Sequence, residues 1–270
     1  METVTAAYNK NPGREWNRLE RDAYHSLEFL VTMHFIQKYF PEKGVILDAG
    51  GGPGRYALEL CRAGYQVILL DISPELIATA RDRFASESDA VRSRLLDCII
   101  GDIRDLSYFE AGCFDAVLCL GGPISHISNA VDRVTAVSEL ARVAKPHAPV
   151  YISVIGYLAL QRTILSQFSD DLLDPLYRKL TEQGDAHVGG MLWHFFRADE
   201  LRQLAESCGL ASLEMAGCEG LSSGLPKATN ALAEDQSKWR VWFELLLNTC
   251  TEPAIVDTAE HVLYIGRAPG

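Results

Sequence analysis

The sequence predicts a doubly wound α/β fold, with helices on both faces of a mostly parallel sheet, and three observations carry that expectation. Continuous apolar runs rich in β-branched residues recur at 45–50 (VILDAG), 65–71 (YQVILLD), 96–102 (LDCIIGD), 114–122 (FDAVLCLGG) and 149–156 (PVYISVIG). Stretches with helical spacing of apolar residues separate several of these runs. Carboxylates or glycines close the runs. A strand apolar on both faces must be covered on both, and helices crossing over a parallel sheet do this.

Each element follows in turn. Trp16, Leu19, Ala23, Leu27, Leu30 and Phe35 repeat at helical spacing and Pro41 stops the pattern, so one or two helices precede the first strand. Residues 1–43 are therefore expected as an N-terminal helical cap and 44–270 as the core. Gly64 closes the helix after the first strand, and Ser73-Pro74 opens the next. A helix is expected near 130–144. After Gly156 the rhythm breaks. Residues 157–184 read as a charged helical region, 197–208 as a helix and 210–218 as a late strand; HVLYIG at 261–266 is the last strand. Helical insertions are thus expected at about 157–190 and 220–252, the second with a helix through Trp239, Trp242, Phe243 and Leu246.

Composition narrows the function classes. A length of 270 residues suits one α/β unit with embellishments, and 48% apolar with 23% charged residues excludes disordered, collagen-like and coiled-coil chains. A net charge of −11 argues against nucleic acid as a partner and repels anionic membrane. No run of 18 apolar residues occurs, and the start lacks the pattern of a secretory signal, so a cytoplasmic location is expected. The seven cysteines form no C-x-x-C pair and no H-E-x-x-H occurs, so no metal site is expected. His187 and His194 flank Gly189-Gly190, which would weaken any helix presenting both on one face.

The chemistry concentrates at D-A-G-G-G-P-G, 48–54. Glycines between strand and helix let a ligand lie against bare backbone beside unpaired N–H groups. Gly52, Gly54 and Ala57 fit a dinucleotide fingerprint, with Asp71 nineteen residues after Gly52. A second reading rests on Asp48, which ends the strand where it would repel a pyrophosphate and welcome a cation. Gly101-Asp102-Ile103 then offers a carboxylate and an apolar wall for an adenine, and Leu120-Gly121 turns beside the switch point of the sheet.

Over 44–159 the sequence resembles the class I S-adenosylmethionine-dependent methyltransferases. VILDAGGGPG matches the first motif of that family, LLDIS (69–73) the acidic second, GDI (101–103) the third and FDAVLCLGG the fourth. The pattern is similar to small methyltransferases with L-D-x-G-G-G-P-G-R-Y and L-G-P-x-x-H, from which LGGPISHI departs by one glycine. The resemblance implies seven strands, the last antiparallel and inserted beside the fifth. It implies S-adenosylmethionine as cofactor, held by Asp48, Gly50, Gly51, Gly52, Gly54, Asp71, Ile72, Asp102, Ile103, Leu120 and Gly121.

Methyl transfer from a sulfonium is a direct in-line displacement, so alignment matters most and a base is needed only for a nucleophile that must lose a proton. His126, just past the Gly121-Gly122 turn, is the first catalytic candidate. Tyr24 and His25, on the helix that covers the cofactor in similar proteins, are the others. Trp193, His194 and Phe195 could line a substrate cavity. Arg162, Arg178 and Lys179 with Asp170, Asp171 and Asp174 read as a solvated face or lid. The (Asn/Asp)-Pro-Pro-(Tyr/Phe) motif of amide and adenine N-methylation is absent after the fourth strand. The expected function is methylation of a small-molecule acceptor. The alternatives are a tRNA or protein methyltransferase, a nicotinamide-dependent oxidoreductase and a non-catalytic nucleotide-binding module.

Overall fold

The computed structural model of the chain describes residues 4–188 and 190–270. Three helices precede the sheet: α1 (Val4–Asn9), α2 (Pro12–Arg18) and α3 (Ala23–Tyr39). The helical pattern of the N-terminal segment is broken by two caps. Asn11 accepts from the Arg14 amide at 3.2 Å and Asp22 from the His25 amide at 3.0 Å, so a new helix starts after each.

The alternating region then runs β1 (Val45–Ala49), α4 (Arg55–Ala63), β2 (Gln66–Asp71), α5 (Pro74–Ala85), α6 (Asp89–Arg92), β3 (Leu95–Ile100), β4 (Ala116–Cys119), α7 (Ala130–Val143) and β5 (Pro149–Ile155). Local chemistry sets these bounds. Gly64 ends α4 at φ 107°, and the Ser73 hydroxyl caps α5 by accepting from the Leu76 amide at 3.1 Å. The first insertion holds α8 (Tyr157–Gln167), α9 (Pro175–Gln183) and a hairpin of β6 (Asp185–Val188) and β7 (Met191–His194). Next come α10 (Ala198–Ser207), β8 (Ala211–Gly217), α11 (Pro226–Ala233), α12 (Gln236–Thr249), α13 (Pro253–Thr258) and β9 (His261–Arg267).

The main sheet has seven strands in the order β3-β2-β1-β4-β5-β9-β8. Leu47 of β1 pairs with Ile68 on one side and Val117 on the other, both in parallel register. The last strand, β9, is antiparallel to both β5 and β8 and lies between them. The direction of chain progression reverses between β1 and β4, which opens a crevice at the strand ends there.

Successive strand residues feed two cores, one on each face. Ile46, Leu118 and Tyr151 pack with α3, α4 and α5, while Leu47, Val117 and Ile152 pack with α7 and α10. Helix α3 is part of the first core through Leu27, Val31 and Phe35, and the Tyr151 hydroxyl donates to the Phe35 carbonyl at 2.7 Å. Residue 43 therefore precedes the first strand without separating α3 from the sheet it covers. Helices α1 and α2 reach over the strand ends.

The hairpin differs from the sequence reading, in which about 157–190 was a helical insertion and no strand was expected before the helix at 197–208. Asp185 pairs with His194 across it, and Gly190 adopts φ 83° near the turn. His194 is held there by Asp185 at 2.8 Å and Glu200 at 2.6 Å. His187 instead faces Leu192 in register, two positions along the strand from the Asp185–His194 pair. Among the described residues no group of three or more His, Cys, Asp or Glu is placed to hold a metal, and no helix is long and apolar enough to cross a membrane.

Candidate functional site

A cavity of about 220 Å³ opens at the carboxyl ends of β1, β2, β3 and β4. Its floor is the glycine turn. Gly50 and Gly52 adopt φ 76° and 56°, a left-handed geometry that glycine enters without strain. A Cβ on Gly51 would lie 2.4 Å from the Asp48 carboxylate and 2.5 Å from Leu69, so the bare backbone rests directly on Asp48. The Gly50 amide donates to the Leu70 carbonyl at 2.7 Å, tying the turn to β2.

Two buried carboxylates lie at the adjacent strand ends. Asp71 lines the cavity, accepting from the Gly52 amide at 2.8 Å and the Ser73 amide at 2.9 Å. Burial pushes its pKa up to about 6, against the pull of those amides, and Glu15 adds to the rise. Asp48 is fully buried with both oxygens lacking a hydrogen-bond partner. Burial lifts its pKa to about 7, with Asp71 adding to the effect and the nearby Ala57 amide opposing it. Unpaired carboxylates of this kind are costly in a fold, and they cluster where a protein must meet a charge.

The remaining walls come from Ile72, Asp102, Ile103, Leu120, Gly121, Pro123 and His126. Asp102 is gripped by Arg104, whose Nε lies 3.0 Å from either oxygen and whose amide donates at 2.9 Å. Burial pushes the Asp102 pKa up, but the Arg104 contacts outweigh this and hold it below the usual carboxylate range. Ile72 and Ile103 supply apolar surface at the ends of β2 and β3.

Of the residues singled out from the sequence, Gly50, Gly51, Gly52, Asp71, Ile72, Asp102, Ile103, Leu120, Gly121 and His126 line this one cavity. Asp48 and Gly54 do not. Asp48 supports the turn from beneath, and Gly54 caps α4 against Leu69, Ala80 and Phe84. Tyr24 and His25 are also outside the lining. The Tyr24 hydroxyl donates to Glu260 at 2.5 Å and accepts from the Gly224 amide at 2.9 Å, and the His25 ring is bound to its own cap Asp22 at 2.6 Å. Both side chains hold helix α3 in place. Trp193 packs on His126, with ring centroids 3.8 Å apart, while His194 and Phe195 belong to the hairpin and its small core.

The roof contains residues that the sequence reading did not select. Tyr8 of α1 lies 2.8 Å from His126 Nε2, and the Ser73 hydroxyl donates to Asn9 at 2.6 Å. Trp16 of α2 sits between the guanidinium groups of Arg55 and Arg83, at 5.3 and 4.7 Å from its ring. Arg18 reaches the cavity against the backbone of Gly121 and is paired with Glu15 and Glu28. Buried Glu28 also faces His261, whose other nitrogen is 2.6 Å from Glu219. Burial would discharge this histidine, but the two carboxylates hold its pKa up at about 9. The chain Glu15–Arg18–Glu28–His261–Glu219 thus anchors α2 and α3 to β9. No local sequence signal marks Tyr8 or Arg18 as cavity residues, because His126 and Gly121, which they meet there, are distant along the chain.

A family model described as a methyltransferase domain matches residues 46–147, which contain the turn, both buried carboxylates and the Asp102 and Leu120 walls. The glycine/sarcosine N-methyltransferase of Halorhodospira halochloris is 30% identical over 112 residues, 42% of this chain and 40% of that protein. The ubiquinone biosynthesis O-methyltransferase of Xanthomonas oryzae pv. oryzae is 29% identical over 111 residues, 41% of this chain and 43% of that protein. The chain spans less than half the length of these curated relatives. Among solved structures, a SAM-dependent methyltransferase from Methanosarcina mazei superposes with a TM-score of 0.60 at 20% identity, covering 87% of this chain and 97% of that one.

Proposed function

We propose that this chain, whose sheet and residues 46–147 form a class I S-adenosylmethionine-dependent methyltransferase domain, methylates a small-molecule acceptor in the cavity above the glycine turn. The observation that carries this reading is the convergence of four consecutive strand ends on one cavity, each contributing the group its motif requires.

The residues present fit the cofactor. Gly50 to Gly52 offer bare backbone to its amino-acid portion, and Arg18 beside Gly121 offers a cation to its carboxylate. Asp71, with two amides already fixing its oxygens, presents remaining lone pairs to ribose hydroxyls. Asp102 would face the adenine amine, with Ile72 and Ile103 against the ring. Asp48, orphaned under the turn, supplies negative charge that a bound cation would stabilise. When bound, S-adenosylmethionine supplies a methyl group made electrophilic by its sulfonium. The chain contributes alignment and exclusion of water, with α1 and α2 as the roof.

A small acceptor is supported by the net charge of −11, which opposes polyanion binding, and by the roof over the cavity. The relatives are named for glycine and sarcosine and for ubiquinone biosynthesis, so small acceptors methylated on nitrogen and on oxygen both occur among them. Incubation with methyl-tritiated S-adenosylmethionine and, separately, a small-metabolite extract, bulk tRNA and denatured protein tests the reading. Label is expected in the metabolite fraction alone; label confined to tRNA or protein would replace the small acceptor with a macromolecular one.

A further inference from the structure

We infer that Tyr8 and His126 act as one unit in which His126 positions the Tyr8 hydroxyl and accepts no proton, so that the acceptor is an uncharged nitrogen nucleophile. The inference rests on the methyl-transfer reading and names the acceptor class of that same site. Geometry carries it. A base must come within about 2.6–3.2 Å of the atom whose proton it removes, or reach it through one water. In His126, Nε2 is taken by the Tyr8 hydroxyl at 2.8 Å, and Nδ1 is sealed from solvent with no partner. Neither nitrogen is open to a substrate.

The ring is also clamped from two elements. Tyr8 of α1 meets it edge-on at 5.4 Å and Trp193 of β7 packs at 3.8 Å. Among the described residues no carboxylate hydrogen-bonds to it, so nothing offsets the charge of an imidazolium there. Burial accordingly pushes its pKa down to about 4, and it stays neutral at working pH. The groups facing Tyr8 act in the same sense. Burial raises the pKa of its hydroxyl, Glu15 and Asp71 raise it further, and Arg18 and Arg14 oppose them without prevailing. Tyr8 therefore remains a neutral phenol.

A phenol or thiol acceptor would need a base that this pair does not provide, and its anion would face the field of Asp71 and Glu15. An unprotonated amine or ring nitrogen avoids both costs. Its lone pair forms the N–CH₃ bond while the S–CH₃ bond breaks and that electron pair returns to sulfur. A hydrogen carried by the nitrogen then leaves to water from the resulting ammonium, so charge and protons balance without a protein base. Tyr8 holds the nitrogen in line, and His126 holds Tyr8.

Two measurements test this. Nitrogen NMR of the imidazoles, on protein saturated with S-adenosylhomocysteine, should show His126 neutral from about pH 5.5 to 9, with its signals moved by Tyr8→Phe. A midpoint between about 6 and 8 would overturn the inference. Carbon-13 methyl donor incubated with a small-metabolite extract then locates the transferred methyl. Methyl on nitrogen is expected, with Tyr8→Phe and His126→Ala each slowing transfer about tenfold, the double variant no slower, and His126→Gln restoring most of the rate. Methyl on oxygen or sulfur, or losses that multiply in the double variant, would contradict it. A folded protein that binds S-adenosylhomocysteine but labels nothing would count against the methyl-transfer reading, while the imidazole titration would still decide the role of His126.

Discussion

The floor and the roof of the cavity are held by different kinds of contact. In the floor, Gly50, Gly51 and Gly52 are placed by backbone amides bonded to Leu70 and Asp71 and by the carboxylate packed beneath them. In the roof, Tyr8, Asn9 and Trp16 are placed by side chains: one hydrogen bond to His126, one from Ser73 and the two flanking guanidinium groups. Backbone contacts fixed by short turns leave little freedom, whereas a few side-chain contacts to short helices can break and re-form. A rigid floor under a roof whose α2 is anchored through Arg18 and whose short α1 is held by a few contacts suits a site whose ligand must enter and leave. Changes in the floor should therefore abolish binding, and changes in the roof should alter its rates.

The largest effect is expected at Gly51. Gly51→Ala places a methyl group 2.4 Å from the Asp48 carboxylate, and overpacking of this kind costs about 1–3 kcal/mol in urea unfolding. It should also weaken S-adenosylhomocysteine binding by well over tenfold; unchanged binding would mean that the floor yields as easily as the roof.

Asp71→Asn keeps the shape of the side chain, removes its charge and leaves either the Gly52 or the Ser73 amide facing an NH2 group in place of an acceptor. Charge-assisted hydrogen bonds contribute about 1.5–3 kcal/mol, so calorimetry should find affinity lowered by about tenfold or more, with the fold intact. An affinity equal to wild type would remove Asp71 from the ligand's contacts.

Asp48 gives the floor a pH dependence. Its folded pKa, about 7, is raised above the usual carboxylate value, so the folded state holds this proton more tightly than the unfolded chain does. That contribution is complete below the unfolded pKa near 4 and is lost as pH rises through about 7. Without ligand, thermal stability should fall over this window, and Asp48→Asn should be more stable than wild type at pH 8 by about 1–3 kcal/mol. An identical pH profile in both proteins would show that Asp48 is paired in solution.

The roof and its supports should give smaller and more separable effects. Tyr24→Phe loses the bonds to Glu260 and the Gly224 amide, costing about 1–3 kcal/mol of stability while leaving S-adenosylhomocysteine affinity unchanged. Asn9→Ala loses only the contact with Ser73; stopped-flow should find ligand release accelerated severalfold with stability altered by less than about 1 kcal/mol.

The same division explains what could be read from the sequence. The floor was legible because its determinants are adjacent in the chain: an apolar run, a carboxylate and glycines, repeated at successive strand ends. Even there, sequence order did not show that Asp48 lies under Gly51 and Gly54 under the helix start, since depth depends on packing against Leu69 and Phe84. The roof was mostly illegible. Tyr24 and His25 were attractive as an aromatic and a histidine on a covering helix, yet both face structural partners, Glu260 lying 236 positions from Tyr24. Tyr8 meets a histidine 118 positions away, and nothing in its local sequence marks that contact. The hairpin was missed for a different reason. Gly189-Gly190 was weighed as a helix weakener, whereas the strands on either side of it pair from Asp185–His194 to Val188–Met191.

Thermal unfolding with and without ligand decides whether this cavity receives an S-adenosyl ligand. S-adenosylhomocysteine at about a hundred times its Kd should stabilise the fold by about 2.7 kcal/mol, raising Tm by roughly 5–10 °C, with the shift reduced in Asp71→Asn and absent for NAD. A shift with NAD or NADP, and none with S-adenosylhomocysteine or S-adenosylmethionine, would contradict it.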